Sequence, residues 1–204
     1  MKDDISLAQW ALVSEFHSGQ LTTLDLPRTA RVDFGLNGIE LVNTLLEVPT
    51  QNYLDRLKEY ATEYKVAIPL IMIDEEGDGC AATPERRKQF VINHRKWIDI
   101  ARYLGCTAIR TNCRGEGPVT KEQGLHRAEE SYRMLLEYAE KEGIKVLIEN
   151  HGGLSNDSDW MVQLYNRVAH PLFGSYPDWR EPMPDFDNFE YLKKVLPYAG
   201  GMSY

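Results

Sequence analysis

Short apolar runs alternate with amphipathic stretches along the whole chain, and this alternation predicts an α/β fold. Six helices carry clear punctuation. Asp25 caps a helix with Pro27 in its first turn that runs to Phe34 and stops at Gly35. Thr50 opens a second, in which Tyr53, Leu54, Leu57, Tyr60, Ala61 and Tyr64 form one buried stripe. Thr83-Pro84 opens the third, whose apolar face is Phe90, Val91, Trp97, Ile98, Ala101 and Leu104, and Gly105 ends it. The fourth runs from Lys121 to Glu142 before Gly143, and the fifth carries Trp160, Met161, Leu164, Tyr165 and Val168. The sixth starts with Asp187 and Glu190 at capping-box spacing and is expected to bury Phe189, Leu192, Val195 and Leu196 before Pro197. Between the helices, strands are expected over 10–16, 38–42, 66–73, 108–112, 146–150 and 172–176, with a last one starting near Gly201.

Polar residues gather just past nearly every apolar run: His17, Asn43, Asp74-Glu75, Arg110 with Asn112, Glu149-Asn150-His151, and Asp178. In a β/α barrel that end of the strands is where an active site is assembled from several strands at once. An open doubly wound sheet would instead carry a glycine-rich phosphate loop after its first strand, and no such loop is present here. The expected architecture is a (β/α)8 TIM barrel occupying residues 1–204 as one domain. With 204 residues the chain holds only about six and a half β/α units, so strands seven and eight are expected to be incomplete or absent. An unclosed barrel exposes two strand edges, which asks for a missing tail or a partner chain, a homo-oligomer included.

Charge narrows the function. There are 23 Lys+Arg against 31 Asp+Glu, a net charge of −8, with no clustered basic surface, which argues against nucleic acid as the partner. No apolar stretch is long enough for a membrane span or a secretory leader. The three cysteines Cys80, Cys106 and Cys113 show no paired spacing, as expected of a cytoplasmic protein.

The sharpest chemical feature is Val146-Leu147-Ile148-Glu149-Asn150-His151-Gly152-Gly153, a buried strand ending in a carboxylate, an amide and an imidazole. A carboxylate taken out of water needs a cation: a metal ion, or a partner such as Arg110. Asp178, at the next strand end, is a second candidate oxygen ligand or a turn residue. His151 is placed to ligate, to move a proton near neutral pH, or to orient a neighbour. His17, Asn43, Arg110, Asn112 and Trp179 are candidate substrate contacts. Arg110 and Asn112 share one side of a strand, while Trp179 and Tyr176, in a segment holding Pro171, Pro177, Pro182 and Pro184, suit an aromatic wall for a sugar ring. The acidic run Asp74-Glu75-Glu76-Gly77-Asp78-Gly79 lacks EF-hand spacing and is read as a mobile active-site loop or a solvated turn.

These residues resemble the xylose isomerase-like barrel superfamily of sugar and sugar-phosphate isomerases and epimerases, which also holds family 2 AP endonucleases. The likeness rests on Phe16-His17, Gly38-Ile39-Glu40-Leu41-Val42-Asn43, the stretch from His94 to Asp99 leading to Leu104-Gly105-Cys106, Arg110-Thr111-Asn112, Ile148 to Gly153, and Pro177-Asp178. It implies one divalent metal (Mn, Mg, Co or Zn) held partly by Glu149 and Asp178. The family's further ligands on strands seven and eight would lie beyond Tyr204. It also implies proton abstraction next to a carbonyl of a small sugar or keto-sugar through an enediolate, with Glu149 as one catalytic base. The Asn-His after Glu149 also resembles relatives that cleave keto-sugar glycosides or dehydrate keto-sugars, in which His151 would be the base. A non-catalytic carbohydrate-binding barrel is the alternative of another class.

Overall fold

A computed structural model of the chain describes residues 5–179 and 187–203. Six parallel strands form one sheet in the order β1 to β6: Ser6–Ala8, Gly38–Val42, Ala67–Met72, Ala108–Thr111, Lys145–Ile148 and Phe173–Ser175. Leu7 lies beside Ile39, Leu41 beside Ile71, Ile71 beside Ile109, Ile109 beside Val146, and Val146 beside Phe173, with one register shift in the β2–β3 pair between Gly38 and Glu40. Each strand is short because it needs only to cross the sheet before a helix returns the chain, the signature of the β/α repeat.

Strand alternation sorts the side chains into two layers. Ile39, Leu41, Ile71, Ile109, Val146 and Ile148 face outward, against Leu57, Phe90, Ile98, Leu135 and Trp160 of the helices. Val42, Leu70, Met72, Ala108, Leu147 and Tyr176 pack together on the other face, inside the curve of the sheet. The helices are α1 (Val13–His17), α2 (Leu26–Arg28, continued by a π turn to Asp33), α3 (Gln51–Glu63), α4 (Pro84–Leu104), α5 (Lys121–Glu142), α6 (Ser158–Val168) and α7 (Asn188–Val195). Thr83 and Thr120 cap α4 and α5 by accepting from Arg86 N and Gln123 N, and Gly105 and Gly143 end them in the left-handed conformation. All three cysteines are free and buried. No helix among the described residues is long and apolar enough to cross a membrane.

Two expectations need correction. The stretch from Trp10 to Phe16 is not a strand: Gln9–Leu12 is a 3-10 turn leading into α1, and the first strand is Ser6–Ala8. The reason is Gln9, which is fully buried. Its Oε1 accepts from Val42 N at 2.6 Å and its Nε2 donates to Thr23 Oγ1 at 3.0 Å, so the side chain ends the β1–β2 pairing and the backbone turns into a helix. In α7, Phe189 is 72% exposed and Leu196 is half exposed, while Tyr191, Leu192 and Val195 are buried. As expected of an incomplete seventh strand, only two isolated parallel bridges follow β6, Ser175 with Ala199 and Asp178 with Ser203. Pro182, Pro184 and Tyr204 lie outside the described residues.

Candidate functional site

The C-terminal ends of the strands surround a cleft of about 820 Å³. Ala8 and Trp10 line it after β1, Thr44 after β2, Asp74, Glu75, Gly77 and Asp78 after β3, Arg110, Asn112 and Arg114 to Glu116 along and after β4, Glu149 and His151 after β5, and Asp178 after β6.

Arg110 forms the floor. Its side chain is 2% exposed and sits between two carboxylates: Nη1 and Nη2 lie 2.6 and 3.4 Å from Asp74, and Nε lies 3.0 Å from Glu149 Oε2. The β4–β5 register puts Thr111 beside Ile148, so Arg110 and Glu149 both fall on the inner face. Asn112 Nδ2 donates to Asp74 Oδ1 at 2.8 Å. Burial works to raise the Asp74 carboxyl, but the Arg110 charge and the bonds from Arg110 and Asn112 outweigh it and hold the group below its usual range.

Two asparagines set the strand-end acids. Asn43 donates to Asp74 O at 2.9 Å and accepts from Asp74 N at 2.7 Å. Asn150 does the same for Asp178, donating to its carbonyl at 3.1 Å and accepting from its N–H at 2.7 Å. In both cases a side-chain amide replaces a ladder rung where the strands part, and the following carboxylate is turned into the cleft.

His151 stands above the floor with its side chain 38% exposed and Nδ1 3.8 Å from Glu149 Oε2. Its backbone N–H donates to Ser155 Oγ at 3.1 Å. Gly152 and Gly153 follow with φ of +109° and +58°, and a Cβ on Gly153 would overlap the Arg114 carbonyl that Leu154 N bonds at 2.8 Å. The loop after β5 is thereby seated against the loop after β4.

The acidic loop after β3 lines the cleft as expected, but it is pinned. Asp78 accepts from Arg114 N at 2.7 Å, Gly115 N at 3.3 Å and Cys80 N at 2.6 Å; burial pushes its carboxyl up against these bonds. Glu76 accepts from Trp97 Nε1 at 2.8 Å and pairs with Lys96 at 2.6 Å.

Of the candidate residues, the structure brings Glu149, His151, Asp178, Arg110 and Asn112 to one cleft. His17 ends α1 and is exposed, outside the cleft, because β1 ends at Ala8 and residues 9–17 are helical; Trp10 stands at the cleft instead. Asn43 is buried beneath the cleft and acts on Asp74. Trp179 packs edge-to-face on Phe189 at 5.0 Å, and Tyr176 points into the barrel, where its hydroxyl bonds Glu40; neither lines the cleft. Glu40 is a further acid, partly buried, that its residue pattern already marks. Its signal was a lone charge at the inward position of an apolar strand, and burial pushes its carboxyl up despite the Tyr176 bond and the Arg110 charge. Asp74, a carboxylate directly after an apolar run, carried the same signal as Glu149.

Glu149 and Asp178 both face the cleft, as two metal ligands would. The donor set goes no further: Oε2 of Glu149 is beside Arg110 Nε, and the described residues contain no group of three or more His, Cys, Asp or Glu placed to hold an ion. The described residues by themselves therefore do not make up a divalent-metal site.

Solved structures share this architecture. The 3-keto-D-glucoside 4-epimerase of E. coli matches with a TM-score of 0.73 at 15% identity over 89% of this chain and 73% of its own. The probable 3-DHS dehydratase of petrobactin synthesis from Bacillus anthracis matches with a TM-score of 0.75 at 19% identity over 98% and 72%. A xylose isomerase-like TIM barrel protein from Mycobacterium smegmatis, in complex with magnesium, matches with a TM-score of 0.68 at 20% identity over 88% and 64%. At such identities these likenesses speak for the fold. No curated protein matches the chain. The family model described as xylose isomerase-like TIM barrel matches residues 29–194, most of the chain, and the protein belongs to that family.

Proposed function

We propose that the cleft moves a proton next to the carbonyl of a small sugar or keto-sugar, with His151 as the base and Glu149 as the residue that orients it. The observation that carries this reading is the pairing of Glu149. Its Oε2 lies 3.0 Å from Arg110 Nε, so the carboxylate is held against a fixed cation beside the imidazole. His151 is half-exposed to the cleft, with Nδ1 3.8 Å from that same Glu149 oxygen, which suits the carboxylate to orient the ring. The enolate left behind would collapse in one of three ways: a proton returned to the opposite face epimerises the carbon, one delivered to the neighbouring carbon isomerises the sugar, and loss of an adjacent hydroxyl dehydrates it. The epimerases and the dehydratase among the structural neighbours support this range of outcomes.

The step leaves a direct trace. In D2O, a ketose panel incubated with the protein should take up deuterium at the carbon beside the carbonyl, read by proton NMR. His151→Asn should slow that uptake by about 100-fold or more, the usual contribution of a general base. Uptake that survives His151→Asn but is lost in Glu149→Gln would transfer the base role to Glu149. A panel with no enzyme-dependent uptake would sink the proton-transfer reading.

A further inference from the structure

We propose that Cys80 and Cys113 are an oxidative modification site, at which a peroxide converts the two thiols into a disulfide that ties the loop after β3 to the loop after β4 at the wall of the cleft. The proposal stands apart from the sugar-site reading.

The backbone brings the two residues together. Gly79 N donates to Asn112 O at 3.1 Å, which joins the residues just before the two cysteines. Cys80 N and Arg114 N both donate to the Asp78 carboxylate, at 2.6 and 2.7 Å, so the chain at and just after the cysteines is joined as well. Held between these ties, the buried thiols hydrogen-bond to each other. Cys80 Sγ also lies 3.4 Å from Gly124 O, and Tyr132 bonds Cys113, so α5 backs both side chains. Sulfur atoms already in contact need only a short approach to the ~2 Å of an S–S bond. Cys106 is placed differently: it precedes β4, at the other end of that strand from Cys113, and burial pushes its thiol up to about 12.

The surroundings also divide the labour between the two sulfurs. The bond from Cys113 holds the Cys80 thiol below its ordinary value against burial, and the Arg127 and Arg87 charges act in the same direction. Burial and the Cys80 neighbour push Cys113 well above its ordinary value, so it stays a thiol. Cys80 therefore supplies the thiolate. It attacks one oxygen of hydrogen peroxide, the O–O bond breaks, and the departing hydroxide takes up the proton that Cys80 released, leaving a sulfenic acid. The Cys113 sulfur then attacks the Cys80 sulfur; the S–O bond breaks, and the hydroxyl leaves with the Cys113 proton as water. Two thiols are oxidised by two electrons, and one peroxide is reduced to two waters. A small peroxide reaches the pair from the cleft, which is lined by Asp78, Arg114 and Gly115, within two residues of the cysteines, on loops that open more readily than the strands.

The test treats the folded chain with hydrogen peroxide, alkylates the remaining thiols in urea and reads the unreduced tryptic peptides by mass spectrometry. The expected product is residues 66–86 joined to residues 111–114, lighter by two hydrogens than the two peptides summed and split by dithiothreitol. It should exceed by about tenfold or more either pairing with the Cys106 peptide 103–110, whereas in the urea-unfolded chain the shorter Cys106–Cys113 loop should lead. On oxidation, hydrogen exchange at the amides of Cys80, Arg114 and Gly115 should slow about tenfold or more, because the bond removes the opening that parts the two loops. A folded chain that yields no 66–86/111–114 product, or that favours Cys106 pairing as the unfolded chain does, overturns the proposal. Exchange left unchanged by the disulfide would overturn the tie between the loops.

Discussion

Asp74 and Glu149, at the ends of the two strands that flank β4, share one guanidinium, and this cluster decides much of the site's chemistry. From the residue types alone, Glu149 needed a cation, and a metal or Arg110 would have served. The choice depended on the β4–β5 register, which places Arg110 within reach, and register is a property of two strands together. Removing the shared guanidinium takes from both carboxylates a cation within about hydrogen-bond distance. Arg110→Met is therefore expected to destabilise the fold by about 3–5 kcal/mol, measured as a shift of the urea unfolding midpoint at unchanged slope. A loss under about 1 kcal/mol would mean that water, rather than Arg110, stabilises Asp74 and Glu149. Asn43 and Asn150 were harder to interpret. Asn43 was read as a substrate contact, yet its amide is spent on the backbone of Asp74.

At the level of elements, the long helices were legible and the first strand was not. α4 and α5 carry their own start and stop signals in Thr83, Gly105, Thr120 and Gly143, and local hydrogen bonds realise them. The run from Trp10 to Phe16 is apolar enough for a strand, but its fate is set by Gln9 bonding to Val42, 33 residues away, which no local pattern carries. Phe189 misled for a related reason. Its position in the heptad suits a core residue, yet its ring lies on Trp179 at the surface. The loop after β5 offers a test at this scale. Gly153→Ala combines a positive φ with overlap of the Arg114 carbonyl, whereas Gly143→Ala has a positive φ of +68° and open space around it. The first should cost about 1–3 kcal/mol in thermal unfolding and the second about 1 kcal/mol or less. Equal losses would mean that the β5 and β4 loops are not seated on each other as described.

For the molecule as a whole, the consequential fact is a sheet with two ends. β1 pairs only with β2, and beyond β6 the segment 199–203 adds only isolated bridges, among the described residues. Protection against hydrogen exchange should follow that geometry. Amides of Ile71, Ile109 and Val146 in the central strands are expected to exchange slowest. Those of Leu7 and Ser203 should exchange roughly two orders of magnitude faster or more. Equal protection at both ends and centre, read by exchange mass spectrometry, would show that the ends are closed in solution. The sequence by itself determined the β/α alternation, the helix limits and the collection of polar residues at one end of the strands. These depend on periodicity, capping and turn chemistry within a few residues. Only the tertiary structure decided where strand one begins, that Arg110 belongs to Asp74 and Glu149 rather than to a ligand, and that Trp10 reaches the cleft while His17 and Trp179 do not. Each of these depends on contacts between segments distant in the chain, whose partners are chosen by strand register and by the satisfaction of buried polar groups.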